Sequence, residues 1–408
     1  MSKASVAVFV GNKLISTDTI LPLMMELSRR GQVSTIRFLC VDWATYNVLQ
    51  QNFVIRDAID AIGELTFIGA RKKTAIGRIW HRLAVLPLMA GLAIRAVLGQ
   101  LTIVHFGIVN LPPFRWLYRL NRGATFYVQG TSMGYQASER RFDDIKQERA
   151  RTKTTIAATS LIGFQADWPV LEQPETRRLP RVILGPTQLA PAWRDFVAAR
   201  ADRYFMAEYS RAGHEPAEDV LVFILGYLGQ LDFIRDGTSM VALFEETLDA
   251  LIERGEGRPI FIKPHAITDM SLLEKPIAAR AGTPIIVSYL HPAVLATRAR
   301  LFVANYYSGA LSAAGLLGVP TIEYTDYSDS ALGVTGDRSV RDDQVDHFIL
   351  RDAPDLRAVI DASLAKPITN RRPNWQAVDE ELLSALAGRK VPNGSPRQQS
   401  PRSRRSVG

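Results

Sequence analysis

Three short stretches could hold and use a phosphate: Lys263-Pro264-His265, His291-Pro292 and Asn305-Tyr306-Tyr307-Ser308-Gly309. Each follows an apolar run, namely Pro259–Ile262, Pro284–Val287 and Leu301–Ala304. Ser308 and Gly309 stand where a helix over the small residues Ala310 to Leu317 would open. Free backbone N–H groups and the positive end of the helix dipole favour an anion there. Lys263 or His265 could neutralise the rest of a diphosphate. Ser308 would cap the helix with or without a ligand, so the turn serves either a phosphate or the neighbouring sheet. His265 and His291, both at strand ends beside Pro, point to function rather than to a structural role. The spacing of histidines and carboxylates suggests no metal site.

The elements that must position these groups alternate along the chain. In the N-terminal half, Val6–Val10, Thr35–Val41, Thr66–Gly69, Leu101–Phe106 and Thr125–Val128 read as buried parallel strands, with helices over Thr19–Arg30, Phe53–Ile62 and Ser138–Lys153. A second series starts near Val220, its first strand ending at Gly226. The expected fold is two doubly wound, Rossmann-like α/β domains facing a cleft, with ligands at the C-terminal ends of the strands. The expected domains are residues 1–180 on the acceptor side and 219–388 on the nucleotide-donor side. A linker over 181–218 and a disordered basic tail over 389–408 complete the chain of 408 residues.

Composition is that of a globular protein, 47% hydrophobic and 22% charged. The single cysteine, Cys40, lies in an apolar run and fits a reducing cytoplasm. The apolar region Leu83–Leu98 contains Pro87 and Arg95 and is too short to span a bilayer, so a soluble or peripheral protein is expected. Six basic residues and no acid lie beyond Gly388, and they account for all but two of the net +8 charges. From Leu65 to Ser138 there is no Asp or Glu but nine Lys or Arg, which calls for an anionic partner. The basic segment 71–82, with Ile76, Ile79 and Trp80, suits an amphipathic element on an anionic membrane surface. A solvated basic helix covering the sheet is the other reading. Nucleic acid is not the expected partner.

The C-terminal stretches, continuing through Gly318-Val319-Pro320-Thr321-Ile322-Glu323-Tyr324, resemble the C-terminal half of GT-B fold transferases. They are most similar to the capsular-polysaccharide and CDP-glycerol glycerophosphotransferase group. The resemblance implies that this half holds the nucleotide and its phosphates, through Lys263, His291, Asn305, Tyr306, Ser308, Gly309, Ser312, Gly226 and Glu323. Gln129-Gly130-Thr131 resembles that group's acceptor-side turn. The chain departs from the pattern at Asn305, where the group carries Asp, at Ser312, where related enzymes place Glu, and at Gln129, where the group has a histidine base. Gln cannot usefully accept a proton near neutral pH. His105, Asp18 and His265 are therefore the catalytic candidates, with a core or loop role as the other reading for His105 and Asp18.

The activity so implied is transfer of a sugar or polyol phosphate from a nucleotide-activated donor to a hydroxyl of a surface polysaccharide or lipid-linked acceptor. The donor is a substrate, so no cofactor is expected, and the setting would be the cytoplasm or the inner membrane face. A sugar-nucleotide epimerase of the same architecture and a non-catalytic polysaccharide-binding scaffold are the competing classes.

Overall fold

The computed structural model describes residues 3–10, 14–69, 75–106, 114–128, 158–163, 179–183, 187–265, 268–336, 338–339, 345–351, 356–368 and 380–388. Ser138–Lys153, Gln129-Gly130-Thr131 and the tail beyond Gly388 lie outside them.

Seven parallel strands form the first sheet: β1 (Ser5–Val10), β2 (Thr35–Cys40), β3 (Glu64–Phe67), β4 (Leu101–His105), β5 (Thr125–Val128), β6 (Ser160–Gly163) and β7 (Arg181–Ile183). Their spatial order is β3-β2-β1-β4-β5-β6-β7. Helices α1 (Leu14–Arg29), α2 (Trp43–Gln51), α3 (Phe53–Ile62), α4 (Ala75–Val97) and α5 (Phe114–Leu120) are its crossovers. The second sheet has six parallel strands: β8 (Val220–Ile224), β9 (Ile260–Lys263), β10 (Ile285–Val287), β11 (Ala299–Ala304), β12 (Thr321–Thr325) and β13 (His347–Leu350). Their order is β10-β9-β8-β11-β12-β13. In both sheets the order reverses beside the first strand, at β1/β4 and at β8/β11, and each reversal opens a crevice at the strands' C-terminal ends. The protein is two doubly wound α/β domains. Strands β1, β4, β5, β8 and β12 are buried along their whole length. This explains why they read as unbroken apolar runs rather than as alternating ones.

The Pro-, Ala- and Arg-rich region read as a linker is largely structured. β7 completes the first sheet through Ile183, and α6 (Pro191–Ala198) and α7 (Ala201–Ala212) follow. The buried carboxylate of Glu26 on α1 accepts the Ala192 N–H at 3.1 Å and bonds to Arg29 and Arg30, which pins α6 to the first domain. Helix α7 touches both domains. Tyr204 donates its hydroxyl to Asp57 on α3, while Phe205 and Tyr209 set their rings edge-on against Phe261 of β9. These apolar contacts extend the first domain's core to β8 and β9 of the second. Helices α8 (Met240–Arg254), α9 (Glu274–Ala278), α10 (Pro292–Leu295), α11 (Gly309–Leu316), α12 (Asp329–Thr335) and α13 (Leu356–Leu364) flank the second sheet. The last helix, α14 (Glu380–Leu386), ion-pairs with Arg30 and buries Leu382, Leu383 and Leu386 in the core shared with the first domain.

Leu83 to Val97 of the apolar region belong to a single helix, α4, of 23 residues, with Pro87 inside it. Pro87 lies on the exposed side, so the carbonyl it leaves unpaired is not sealed inside the protein and the helix tolerates it.

Candidate functional site between the domains

The second domain's crevice is organised by the loop after β11. Tyr306 lies across Gly226, the turn after β8, and its hydroxyl accepts the Tyr227 N–H. A Cβ on Gly226 would overlap the Tyr306 phenol. Close approach is thus the reason for glycine here, and Thr268 fixes the turn by donating to the Gly226 carbonyl at 2.8 Å. Gly226→Ala should therefore cost about 1–3 kcal/mol in denaturant unfolding. In a Tyr306→Ala background the same substitution should cost nearly nothing, because the two residues couple only through the overlap.

Beneath the loop are buried groups that hydrogen-bond within the domain. Asn305 is buried, and its amide donates to the Thr247 hydroxyl at 2.7 Å and the Tyr324 carbonyl at 3.3 Å. Glu323 is fully buried; it accepts from Tyr327 at 2.5 Å and from Ser339 at 2.7 Å. The Tyr327 oxygen in turn accepts the Tyr307 N–H at 2.9 Å. Burial raises the Glu323 carboxyl to about 7, against those hydrogen bonds. Both side chains are struts that hold the loop shape.

At the end of that loop, Ser308 caps α11 by accepting the Ala310 N–H at 3.3 Å. Beside it, the Cβ direction of Gly309 meets open space, and its backbone is not left-handed. The turn is therefore not pressed against the sheet at this residue. Ser312 lies within α11, and its side chain is outside the described residues.

The two domains meet through a cluster of titratable groups. Asp18 and Thr17 come from α1, just beyond the end of β1; Lys263 ends β9; His291 caps α10. Nδ1 of His291 accepts the Ala293 N–H at 3.0 Å, which places the ring proton on Nε2. That nitrogen is buried without a hydrogen-bond partner and lies 3.7 Å from Asp18 Oδ2, beyond hydrogen-bond reach. Thr17 Oγ1 and Asp18 Oδ1 are likewise buried and unpartnered, although 25% of the Asp18 side chain remains open to solvent. Trp193 of α6 sets its ring edge-to-face with His291, 4.9 Å between centroids.

Burial raises the Asp18 carboxyl to about 7, with Lys263 pulling it back. Burial lowers Lys263, against the attraction of Asp18. Burial, then the charge of Lys263, pushes His291 down to about 3, so the imidazole is a neutral donor throughout the physiological range. A group poised near neutrality beside a fixed N–H donor can take a proton from a hydroxyl held between them.

The structure thus brings together Asp18, Lys263 and His291, and separately Gly226, Tyr306, Ser308 and Gly309 along the second sheet's crevice. His265 is exposed at the end of β9. His105 is buried between the rings of Tyr118 and Tyr127, at 5.2 and 5.4 Å. Sequence reasoning missed Thr17 and Trp193. Thr17 carries no local signal, and Trp193 lay in the supposed linker.

No family model matches the sequence, and no curated protein matches it. Among solved structures, the chain is similar to S. aureus MnaA in a UDP co-structure, with 11% identity, coverage of 96% of this chain and 93% of that chain, and a TM-score of 0.48. It is similar to UGT89C1 of Arabidopsis thaliana, with 14% identity, 95% and 93% coverage, and a TM-score of 0.48. It is also similar to the wall teichoic acid polymerase TagF, with 12% identity, 79% and 70% coverage, and a TM-score of 0.44. The fold assignment rests on the strand order described above.

Proposed function

We propose that the protein is a transferase that moves a sugar or polyol phosphate from a nucleotide-activated donor to a hydroxyl of a surface polysaccharide or lipid-linked acceptor. The observation that carries this reading is the meeting of Asp18 from one domain with Lys263 and His291 from the other. The second domain holds the donor, with its phosphates toward the start of α11 at Ser308-Gly309 and its body along the Gly226–Tyr306 shelf. The acceptor hydroxyl enters from the first domain. Asp18 as carboxylate takes its proton while the hydroxyl oxygen forms a bond to the donor carbon or phosphorus. The bond to the nucleotide's phosphate oxygen breaks, and the negative charge passes to the leaving nucleotide. Lys263 and the exposed His265 are the groups that stabilise that charge, while the Nε2–H of His291 orients the acceptor hydroxyl toward Asp18.

Thermal-shift and calorimetric titrations over CMP-, CDP-, UDP- and GDP-linked donors test the reading, followed by assays of donor breakdown with and without membrane or polymer acceptor. The expected result is a raised melting temperature with one nucleotide class and turnover that rises with acceptor. No shift and no turnover with any donor would overturn it, and acceptor-free conversion of the donor to its epimer would replace it with an epimerase.

A further inference from the structure

Helix α4 is apolar on two sides. Leu92 and Ala96 are buried with Phe9, Leu101 and Ile103 in the core on one face of the first sheet. Leu83, Leu86, Ile94, Val97 and Leu98, by contrast, are 39–62% exposed. At 3.6 residues per turn these five fall, with the exposed Pro87 and Ala90, into one stripe about 120° wide. Helix α5 packs beside α4 and adds Trp116 and Leu120, 59% and 46% exposed. Seven of the twelve exposed large apolar side chains among the described residues therefore lie on these two neighbouring helices or, as Leu98, directly after α4. A patch so concentrated needs a partner.

The partner's chemistry follows from the rim. Arg115 and Arg119 are exposed on α5, flanking Trp116. Arg122, also exposed, donates its backbone N–H to the Ala96 carbonyl at 2.9 Å, which sets it at the C-terminal end of α4. No Asp or Glu occurs from Leu65 to Ser138. Leu, Ile and Trp edged by arginine with no acid is the composition of an element that lies in an anionic lipid interface. A second copy of the chain fits less well, because a two-fold contact through this face would set the arginine rim against itself. No helix among the described residues is long and apolar enough to cross a membrane.

We infer that the α4–α5 face docks on the surface of an anionic bilayer. Helix α4 lies in the interfacial plane, its stripe and Trp116 reach the acyl boundary, and Arg115, Arg119 and Arg122 face the lipid phosphates. This surface is C-terminal to the basic segment 71–82 favoured by sequence, and it does not depend on the transferase reading.

The test is sedimentation of the full chain with phosphatidylcholine vesicles, with and without phosphatidylglycerol, at low and high salt. The wild type should sediment with the anionic vesicles. Leu86→Glu with Ile94→Glu should weaken that binding about tenfold or more. Arg115→Glu with Arg119→Glu should weaken it at low salt and remove most of its salt dependence. Every substituted side chain is exposed, so melting curves should match the wild type. Failure of the wild type to sediment with anionic vesicles at low salt would overturn the inference, as would vesicle binding by both double variants at the wild-type level. Conversion of a dimer to a monomer by Leu86→Glu with Ile94→Glu, vesicle binding unchanged, would assign the face to a second copy instead.

Discussion

Asp18→Asn is expected to lower kcat about 10²- to 10⁴-fold, the range for removing a general base, while the folded chain survives because the amide nearly matches the carboxyl in shape. The pH profile gives the sharper readout. The base works as carboxylate, and burial raises the Asp18 carboxyl to about 7. In the wild type, log kcat/KM should therefore rise with pH to a bend near that value and flatten above it. His291, held down to about 3, adds no bend in the same range. Lys263 lowers the Asp18 carboxyl, so Lys263→Met should move the bend upward, by about one pH unit or more for the loss of a neighbouring opposite charge. A loss of donor affinity alone would scale the curve without moving its bend, which separates the two roles of Lys263. If Asp18→Asn keeps more than a tenth of the activity, or the bend stays in place without Lys263, the base lies elsewhere.

Gly309→Val is expected to lose nucleotide binding while melting close to the wild type. The Cβ direction of Gly309 meets open space and the residue is not in the left-handed region, so the fold has room for a branched side chain. Helix propensity changes by only a few tenths of a kcal/mol between Gly and Val. A ligand phosphate approaching the start of α11 has no such room, and affinity should fall at least about tenfold, or about 1.4 kcal/mol. Ser308→Ala removes the cap to Ala310 and should instead cost about 0.5–2 kcal/mol of stability. Calorimetric titration and melting curves on the same preparations separate the two effects. A Gly309→Val protein that binds nucleotide normally would move the phosphate site away from this turn.

The sequence by itself determined the strands and the crevice. Strands such as Ser5–Val10 and Val220–Ile224 are buried throughout, so their apolar runs were unambiguous, and their alternation with helices implied parallel doubly wound sheets. Polar groups just past those runs, such as Lys263, His291 and Ser308, had to emerge at strand ends. What the sequence could not show is which of them meet. Asp18 and His291 are 273 positions apart and come within 3.7 Å where the domains pack together, with α6, α7 and α14 in their shared core. Those helices were hidden in a segment whose Pro and Arg content reads as linker. Nor could it tell which groups of one motif face inward. Glu323 and Asn305 sit in the same motif as Tyr306, yet their side chains turn inward and spend their hydrogen bonds on Tyr327, Ser339, Thr247 and the Tyr324 carbonyl. Burial, the term that moves Asp18 toward neutrality, is a property of how the two domains pack, and no local pattern of residues encodes it.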